Sequence, residues 1–380
     1  MSNAVMGALA DIAHIEMGQS PAGSSTNKLG IGDPLLNGPS EFGDVQPTPQ
    51  QWTVQGVRFA EPGDTLFCVR GSTTGRMNVA DQRFAIGRGL AAIRGKRSDA
   101  DTRFAKYALE NVLPELLAGV TGSVFPNLSR SQIGSQKVAL PPAPTRKAIV
   151  EVLGALDDKI AANTKLAMTA DEYLGAQFRR EMGDGFESGD LGTIAEVNAE
   201  SVKPVDGGQL RYIDIASVGV GAYAYPDLAS WEDAPGRARR RVRVGDTLWS
   251  TVRPNRRSHS LNLSDDPRLV ASTGLAVLSP REVGFAYLYE ATRLAEFATY
   301  LENVAEGSAY PAVRAEFFKS APVPLISPDR RAAFEALAAP MRKHLHCLSE
   351  ENRALSEMRD ILLPQLMSGD LCVRTSTKGA

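Results

Sequence analysis

Residues Pro144–Met182, with the core TRKAIVEVLGALDDKIAANTKLAMTADEYLGAQFRR over 145–180, decide how the rest of the chain is read, because the stretch occurs twice. Its second version is DRRAAFEALAAPMRKHLHCLSEENRALSEMRDILLPQL over 329–366. In the first, Ile149, Leu153, Leu156, Ile160, Asn163, Leu166, Ala170 and Leu174 recur at steps of three and four. In the second, Phe334, Leu337, Met341, Leu345, Leu348, Asn352, Leu355, Met358, Leu362 and Leu366 do the same. Such spacing describes an amphipathic helix held for many turns, close to a heptad seam. Each stripe carries one asparagine, Asn163 or Asn352, and a polar seam residue fixes register and partner at a cost in stability. The expectation is two helices paired through Ile149, Leu153, Leu156, Ile160 and Asn163 on one side and Leu345, Leu348, Asn352, Leu355 and Leu362 on the other. The plainer alternative is two surface helices of a globular core. Pro340 lies inside the second stripe and predicts a kink there or a late helix start.

Outward from these stretches the chain repeats itself. Leu9-Ala-Asp-Ile-Ala returns as Leu191-Gly-Thr-Ile-Ala, and Gly63-Asp-Thr-Leu-Phe returns at the same offset as Gly245-Asp-Thr-Leu-Trp. At a slightly longer offset, Gly122-Ser123 and Pro126 return as Gly307-Ser308 and Pro311, and Val138-x-Leu140 as Val323-x-Leu325. Ala148, Glu151 and Leu153 then find Ala332, Glu335 and Leu337. Collinear matches of this kind mark a tandem duplication. Each copy opens with a region rich in Gly, Pro, Val and Thr. It holds short strand-like runs (65–69 and 89–94, then 211–215 and 247–252) and one helical piece (103–117, then 285–303). Proline-rich linkers lead into the long helices, and Gly183-Asp-Gly185 with Gly189 makes a flexible joint between copies. The expected fold is therefore α+β: two repeated α+β domains separated by two long antiparallel helices forming a coiled-coil arm. The boundaries read 1–143, 144–182, 183–327, 328–370 and a polar tail, 371–380.

Composition narrows the class. A hydrophobic content of 43% with 23% charged residues is ordinary for a soluble globular chain. No apolar run is long enough for a membrane span and no signal-peptide pattern stands at the start, so a cytoplasmic location is expected. Cys68, Cys347 and Cys372 are isolated, which suits a reducing compartment and offers no zinc knuckle. Enzyme motifs are missing. There is no GxxxxGK[ST] loop, Gly219-Val-Gly221 is not a dinucleotide fingerprint, and no Asp/Asn-Pro-Pro-aromatic run of the adenine methyltransferase kind occurs. His344 and His346 sit two apart on a helix and face different sides, and His14 lacks partners at ligand spacing. No metal site and no catalytic residue are expected.

The positive signal is cationic. Arg237, Arg239, Arg240, Arg241, Arg243, Arg253, Arg256 and Arg257 crowd the stretch 237–257, which contains one acid, Asp246. Arginine forks and asparagine amides read base edges, and arginine neutralises phosphate. The candidate DNA contacts of the second copy are Arg237, Arg239, Arg253, Asn255, Arg256, Arg257 and His259. At the equivalent place the first copy offers Arg70, Ser72, Thr73, Arg76 and Asn78. A solvated basic face is the bland alternative.

With these motifs in hand the chain resembles the specificity subunit of a type I restriction-modification system. The resemblance rests on the two Gly-Asp-Thr-Leu-aromatic runs, the Gly-Ser turns, the proline linkers and the ending Leu355-x-x-Met-Arg-Asp-Ile-Leu-Leu-Pro-Gln-Leu-Met-Ser-Gly-Asp-Leu371. It implies that each globular domain is a target-recognition domain reading one half of a bipartite double-stranded DNA site. It also implies that the helices pair antiparallel as a spacer, docking two methyltransferase subunits to which a restriction subunit can add. S-adenosylmethionine, ATP and magnesium would then belong to those partners, with no cofactor in this chain. Two alternatives stay open on the sequence: a stand-alone methyltransferase or nuclease with duplicated domains, and a coiled-coil scaffold without a DNA role.

Overall fold

The computed structural model describes residues 5–43, 45–119, 127–183, 186–307 and 310–373. The Gly122-Ser123 and Pro126 match, Ser308 and the Asp184-Gly185 joint lie outside the described residues. The architecture is α+β, and the chain divides into two compact units, Met1–Leu166 with Ser349–Ala380 and Ala167–Leu348. Each unit thus includes part of both long helices, which run Ala143–Met182 and Pro328–Ser368.

In the first unit, Val5–Ala8 pairs antiparallel with Lys137–Leu140. A four-stranded antiparallel sheet follows in the order Ala13–Met17, Leu90–Gly95, Thr65–Cys68, Met77–Val79. A second sheet of five short strands contains one parallel pair, Asp33–Leu36 beside Phe84–Ile86. The strand Thr65–Cys68 lies between two cores, which explains its unbroken apolar run. Side chains alternate across a strand. Accordingly Phe67 and Val69 pack with the helix Asp99–Ala118, while Leu66 and Cys68 pack with Leu36, Phe84 and Ile86 of the five-stranded sheet. That helix starts at Ser98, whose hydroxyl accepts from the Asp101 amide. The long helices enter the same core through Ile149, Val150 and Leu153 and through Leu363, Leu366 and Met367.

The second unit repeats the plan. Glu187–Asp190 pairs with Pro322–Leu325, and the central sheet runs Ala195–Val197, Leu275–Pro280, Thr247–Ser250, His259–Leu261. Again the neighbouring sheet has one parallel pair, Gln209–Ile213 beside Leu269–Ser272. Trp249 faces one core and Leu248 the other, as Phe67 and Leu66 do. The single helical piece expected over 285–303 is two helices, Phe285–Thr292 and Ala295–Asn303.

Gly63 and Gly245 have φ of 88° and 91°, which explains their recurrence: a side chain would be strained there. Asp64 beside Gly63 is buried and accepts both Nε and Nη2 of Arg94 at 2.7 and 2.6 Å. The repeated Gly-Asp motif is therefore a turn and not a chemical site.

The long helices follow the expected register in part. In the first unit Asn163 is buried and donates to Asn352 Oδ1 at 2.9 Å and to Glu351 at 2.7 Å, while Asn352 donates to Thr164 at 3.2 Å. One hydrogen bond joins the two asparagines, and Glu351 and Thr164 accept one further amide hydrogen each, as suits a register-setting polar pair. Ile149, Leu153 and Leu348 are buried, and Leu156, Ile160, Leu345, Leu355 and Leu362 are half-buried. Three stripe residues depart from the seam: Leu166, Leu337 and Met358 are exposed. The pairing of Leu153 with Leu337 is also one position out, because burial matches Ile149 to Phe334 and, at the same offset, Leu153 to Ala338. Pro340 neither starts nor ends the second helix. It is exposed, so the carbonyl it leaves without an amide donor can be met by water.

Candidate nucleic-acid interface

Two turns close the same end of the two central sheets. After Thr65–Cys68 comes Arg70-Gly71-Ser72-Thr73-Thr74-Gly75-Arg76, and after Thr247–Ser250 comes Val252-Arg253-Pro254-Asn255-Arg256-Arg257-Ser258. Their frames share a set of backbone bonds. The Cys68 amide donates to Arg76 O and the Ser250 amide to Ser258 O, each at 2.9 Å. Val69 N meets Gly89 O and Thr251 N meets Gly274 O, again at 2.9 Å. Bridges tie Arg70 to Asn127 and Val252 to Ala312. In the first turn Gly71 and Gly75 have φ of 90° and 95°; in the second, the same two places hold Arg253 and Arg257, at 52° and 53°. Left-handed backbone is free for glycine and costs other residues about 1–2 kcal/mol. Two arginines held there by the fold mark a strained tip, and such strain collects at functional positions.

The candidate contacts sort by where the structure puts them. Arg70, Ser72, Thr73 and Arg76 are exposed on the first turn, and Asn255, Arg256 and Arg257 are exposed on the second. Arg253 is half-buried and lies over the ring of Tyr310 at 4.7 Å, a tyrosine that is itself 70% exposed. Arg237 joins the second turn, since its carbonyl accepts from Thr273 N in the segment leading to Gly274. Arg239 is half-buried and donates to Ala238 O at 2.7 Å. Arg241 and Arg243 are tied to Glu200, so fewer of the clustered arginines are at liberty than their number suggests.

Two candidates are corrected. Asn78 donates its amide to Phe42 O at 2.6 Å and accepts from Val79 N, which commits it to the fold. His259 is buried, stacked on Trp249 at 5.1 Å, with Nδ1 2.7 Å from Arg257 O. It lies beneath the turn and offers nothing to a ligand.

Arg88 and Tyr310 are the residues that sequence reasoning missed. Arg88 is exposed between Gly87 and Gly89, at the sheet end that carries the first turn. A Cβ on Gly89 would stand 2.3 Å from Asn37 O, and one on Gly18 2.2 Å from Gly87 O, so glycine alone permits this close backbone packing. The signal available was Gly87-Arg88-Gly89 itself, a lone cation flanked by glycines.

Burial lowers His259 to about 4 against the opposing pull of its hydrogen bond to Arg257 O, with lesser effects of Arg293, Asp171 and Arg342. In the unfolded chain it titrates near 6.5. A depressed folded value means stability fully present above about 6.5 and lost as pH falls through about 4, on the order of 3 kcal/mol in total. Thermal unfolding should therefore weaken across that window, and His259→Met should flatten the dependence. An H259M chain with an unchanged pH profile would place the titration elsewhere.

No helix of the described residues is long and apolar enough to cross a membrane, and no cluster of three metal-ligating side chains occurs among them.

Residues 1–169 match the model of the type I restriction modification DNA specificity domain. Over 151 residues the chain is 38% identical to a putative type I restriction enzyme MjaX specificity subunit of Methanocaldococcus jannaschii, covering 40% of this chain. The matched part spans about a third, 35%, of the length of that relative. The fold is shared with the S subunit of a type I restriction-modification system from M. genitalium, at a TM-score of 0.61 and 16% identity over 96% of each chain. An HsdS subunit from Thermoanaerobacter tengcongensis aligns over 97% of both chains at 15% identity, with a TM-score of 0.36 that is too low to add to this. Residues 1–169 are thus similar to a type I restriction modification DNA specificity domain, the second unit repeats the plan of the first, and the whole shares its fold with an S subunit.

Proposed function

We propose that the chain is the non-catalytic DNA-reading subunit of a type I restriction-modification complex, each unit reading one half of a bipartite double-stranded site. One observation supports this above the others: two turns with the same backbone frame carry different side chains at their tips. A shared frame holds each tip in one pose, and divergent tips suit different base edges. The long helices would dock two methyltransferase subunits, to which a restriction subunit adds. The outward apolar residues Leu166, Met168, Met358 and Ile361 suit such docking. S-adenosylmethionine, ATP and magnesium would be held by those partners, and a DNA-reading role implies a cytoplasmic protein.

The test is selection from a random duplex library by the chain co-expressed with its methyltransferase partner. Two separated conserved blocks are expected. Alanine at Arg253, Asn255 or Arg256 should relax one block, by about 1–3 kcal/mol where the side chain reads a base with two hydrogen bonds. Alanine at Arg70, Thr73 or Arg76 should relax the other. Alanine at Arg237 or Arg239 should weaken binding to all sequences and flatten its salt dependence. Enrichment of one contiguous block, or of none, would overturn the reading.

A further inference from the structure

The two turns solve one backbone problem in two ways, and the difference assigns a role to His259. In the first unit the last left-handed position is Gly75, and two residues on stands Met77. In the second unit the same two positions hold Arg257 and His259. Met77 has no donor, and Gly75 needs none to hold a φ of 95°. Arg257, at 53°, carries a side chain that disfavours the conformation. Its carbonyl oxygen is 2.7 Å from His259 Nδ1. A carbonyl only accepts, so Nδ1 carries the proton and donates it.

The imidazole is fixed from its other sides. It stacks on the fully buried Trp249 at an interplanar angle of 15°, and Tyr289 lies against it at 5.7 Å. Its backbone is clamped as well: His259 N donates to Gly219 O, and His259 O accepts from Gly221 N, both at 2.8 Å. Nε2 has no hydrogen-bond partner among the described residues, so Nδ1 makes the ring's one polar contact there. A buried imidazole that leaves one nitrogen unsatisfied is costly, and methionine at the same place in the first unit avoids that cost.

We infer that His259 is a positioning residue, a buried donor that holds Arg257 in the left-handed conformation and so aims the arginine tip of the second turn. This rests on the turn being the DNA reader, but the hydrogen bond and the strain it offsets belong to the folded chain without DNA. Gly75 with Met77 and Arg257 with His259 are then two self-consistent pairs, and mixing them costs order at the tip.

The experiment is a double-mutant cycle in the full chain, with R257G, H259M and both together, read by denaturation midpoint and by half-site selectivity. H259M alone is expected to lower the midpoint and to reduce selectivity at one half-site by about tenfold, one net hydrogen bond. In the R257G background H259M should lower the midpoint by clearly less and leave the pose of the tip unaffected, because the carbonyl of residue 257 still loses its donor but no left-handed side chain has to be held. H259N places a donor where Nδ1 stands and should keep selectivity within about twofold of the parent, whereas H259Q places it where Nε2 stands and should not. Equal midpoint losses from H259M in both backgrounds would mean that the ring only fills space, and would overturn the inference. A cycle that behaves as expected, with half-site selectivity untouched by R257G and H259M alike, would uphold the positioning role and reject the turn as the reader.

Discussion

Alanine at Arg342 is expected to destabilise the second unit by about 3–5 kcal/mol, the cost of removing one member of a buried ion network. Arg342 is 6% exposed on the second long helix and meets Asp171 Oδ1 at 2.5 Å and Glu290. Its guanidinium lies over Tyr289 at 4.8 Å. Arg293 completes the group, reaching Asp171 at 2.6 Å and Glu290 at 3.1 Å. Burial pushes the Asp171 carboxyl up, but hydrogen bonds and charge from Arg293 and Arg342 outweigh it and hold the group below its ordinary value. Without Arg342, the buried Glu290 keeps Arg293 alone. The double variant R342M/E290Q removes both charges and should recover at least half of the loss, because well-packed neutral groups can replace a buried pair. Urea denaturation of the three proteins decides it. A loss under about 1 kcal/mol for R342A would show that the network is solvated in practice.

The same place in the first unit has the opposite sign. Asp157 is the counterpart of Arg342 in the register that matches Ile149 to Phe334 and Leu153 to Ala338. It accepts from Lys106 at 3.0 Å, Tyr107 at 2.9 Å and Arg359 at 3.2 Å. In one unit a cation from the globular part meets an acid on the first long helix. In the other an acid from the globular part meets a cation on the second. The inversion is confined to this one position, since Arg293 of the second globular part also meets an acid of the first long helix, Asp171.

Several of these features were legible in the sequence. Gly63 and Gly245 stand out because a left-handed turn admits little else, and Asn163 and Asn352 because each is the one asparagine in an apolar stripe. Thr65–Cys68 and Thr247–Ser250 were legible as short strand-like runs after a Gly-Asp turn, although both faces of each strand are buried. The arm was harder. A heptad stripe does not say which leucines meet a partner within the chain, and Leu166, Leu337 and Met358 lie outside the seam. At the site, Arg-Pro-Asn-Arg-Arg-Ser-His reads as one polar loop. Nothing in it shows that His259 turns inward, since a lone histidine satisfied by a backbone carbonyl leaves no mark on its neighbours. Nor do Arg253 and Arg257 announce left-handed backbone, because that conformation is imposed by the frame they share with Gly71 and Gly75.

That shared frame makes the tips exchangeable. Replacing Arg253-Pro-Asn-Arg-Arg257 by the first unit's Gly-Ser-Thr-Thr-Gly, together with H259M, transfers a complete set of backbone requirements. Two left-handed arginines become glycines, relieving about 1–2 kcal/mol each, and the methionine no longer leaves a ring nitrogen without a partner. The folded chain should be no less stable than the parent. Recognition should suffer heavily, because the graft removes three arginines and an asparagine from the exposed turn. At about 1–3 kcal/mol for each base read, removing two such readers reduces affinity for the second half-site by roughly 30-fold to 10⁴-fold. The first half-site should be read as before, because residues 70–76 are untouched. Library selection with the grafted chain, alongside its denaturation midpoint, separates the possibilities. A stable graft that selects one block marks the five-residue tip as the reader of the other. A stable graft that still selects both at full stringency would move recognition off this turn, to the four-stranded sheet that contains Gln209–Ile213. A destabilised graft would mean that the coincidence of the two frames stops at the hydrogen bonds and does not extend to the side chains packed beneath them.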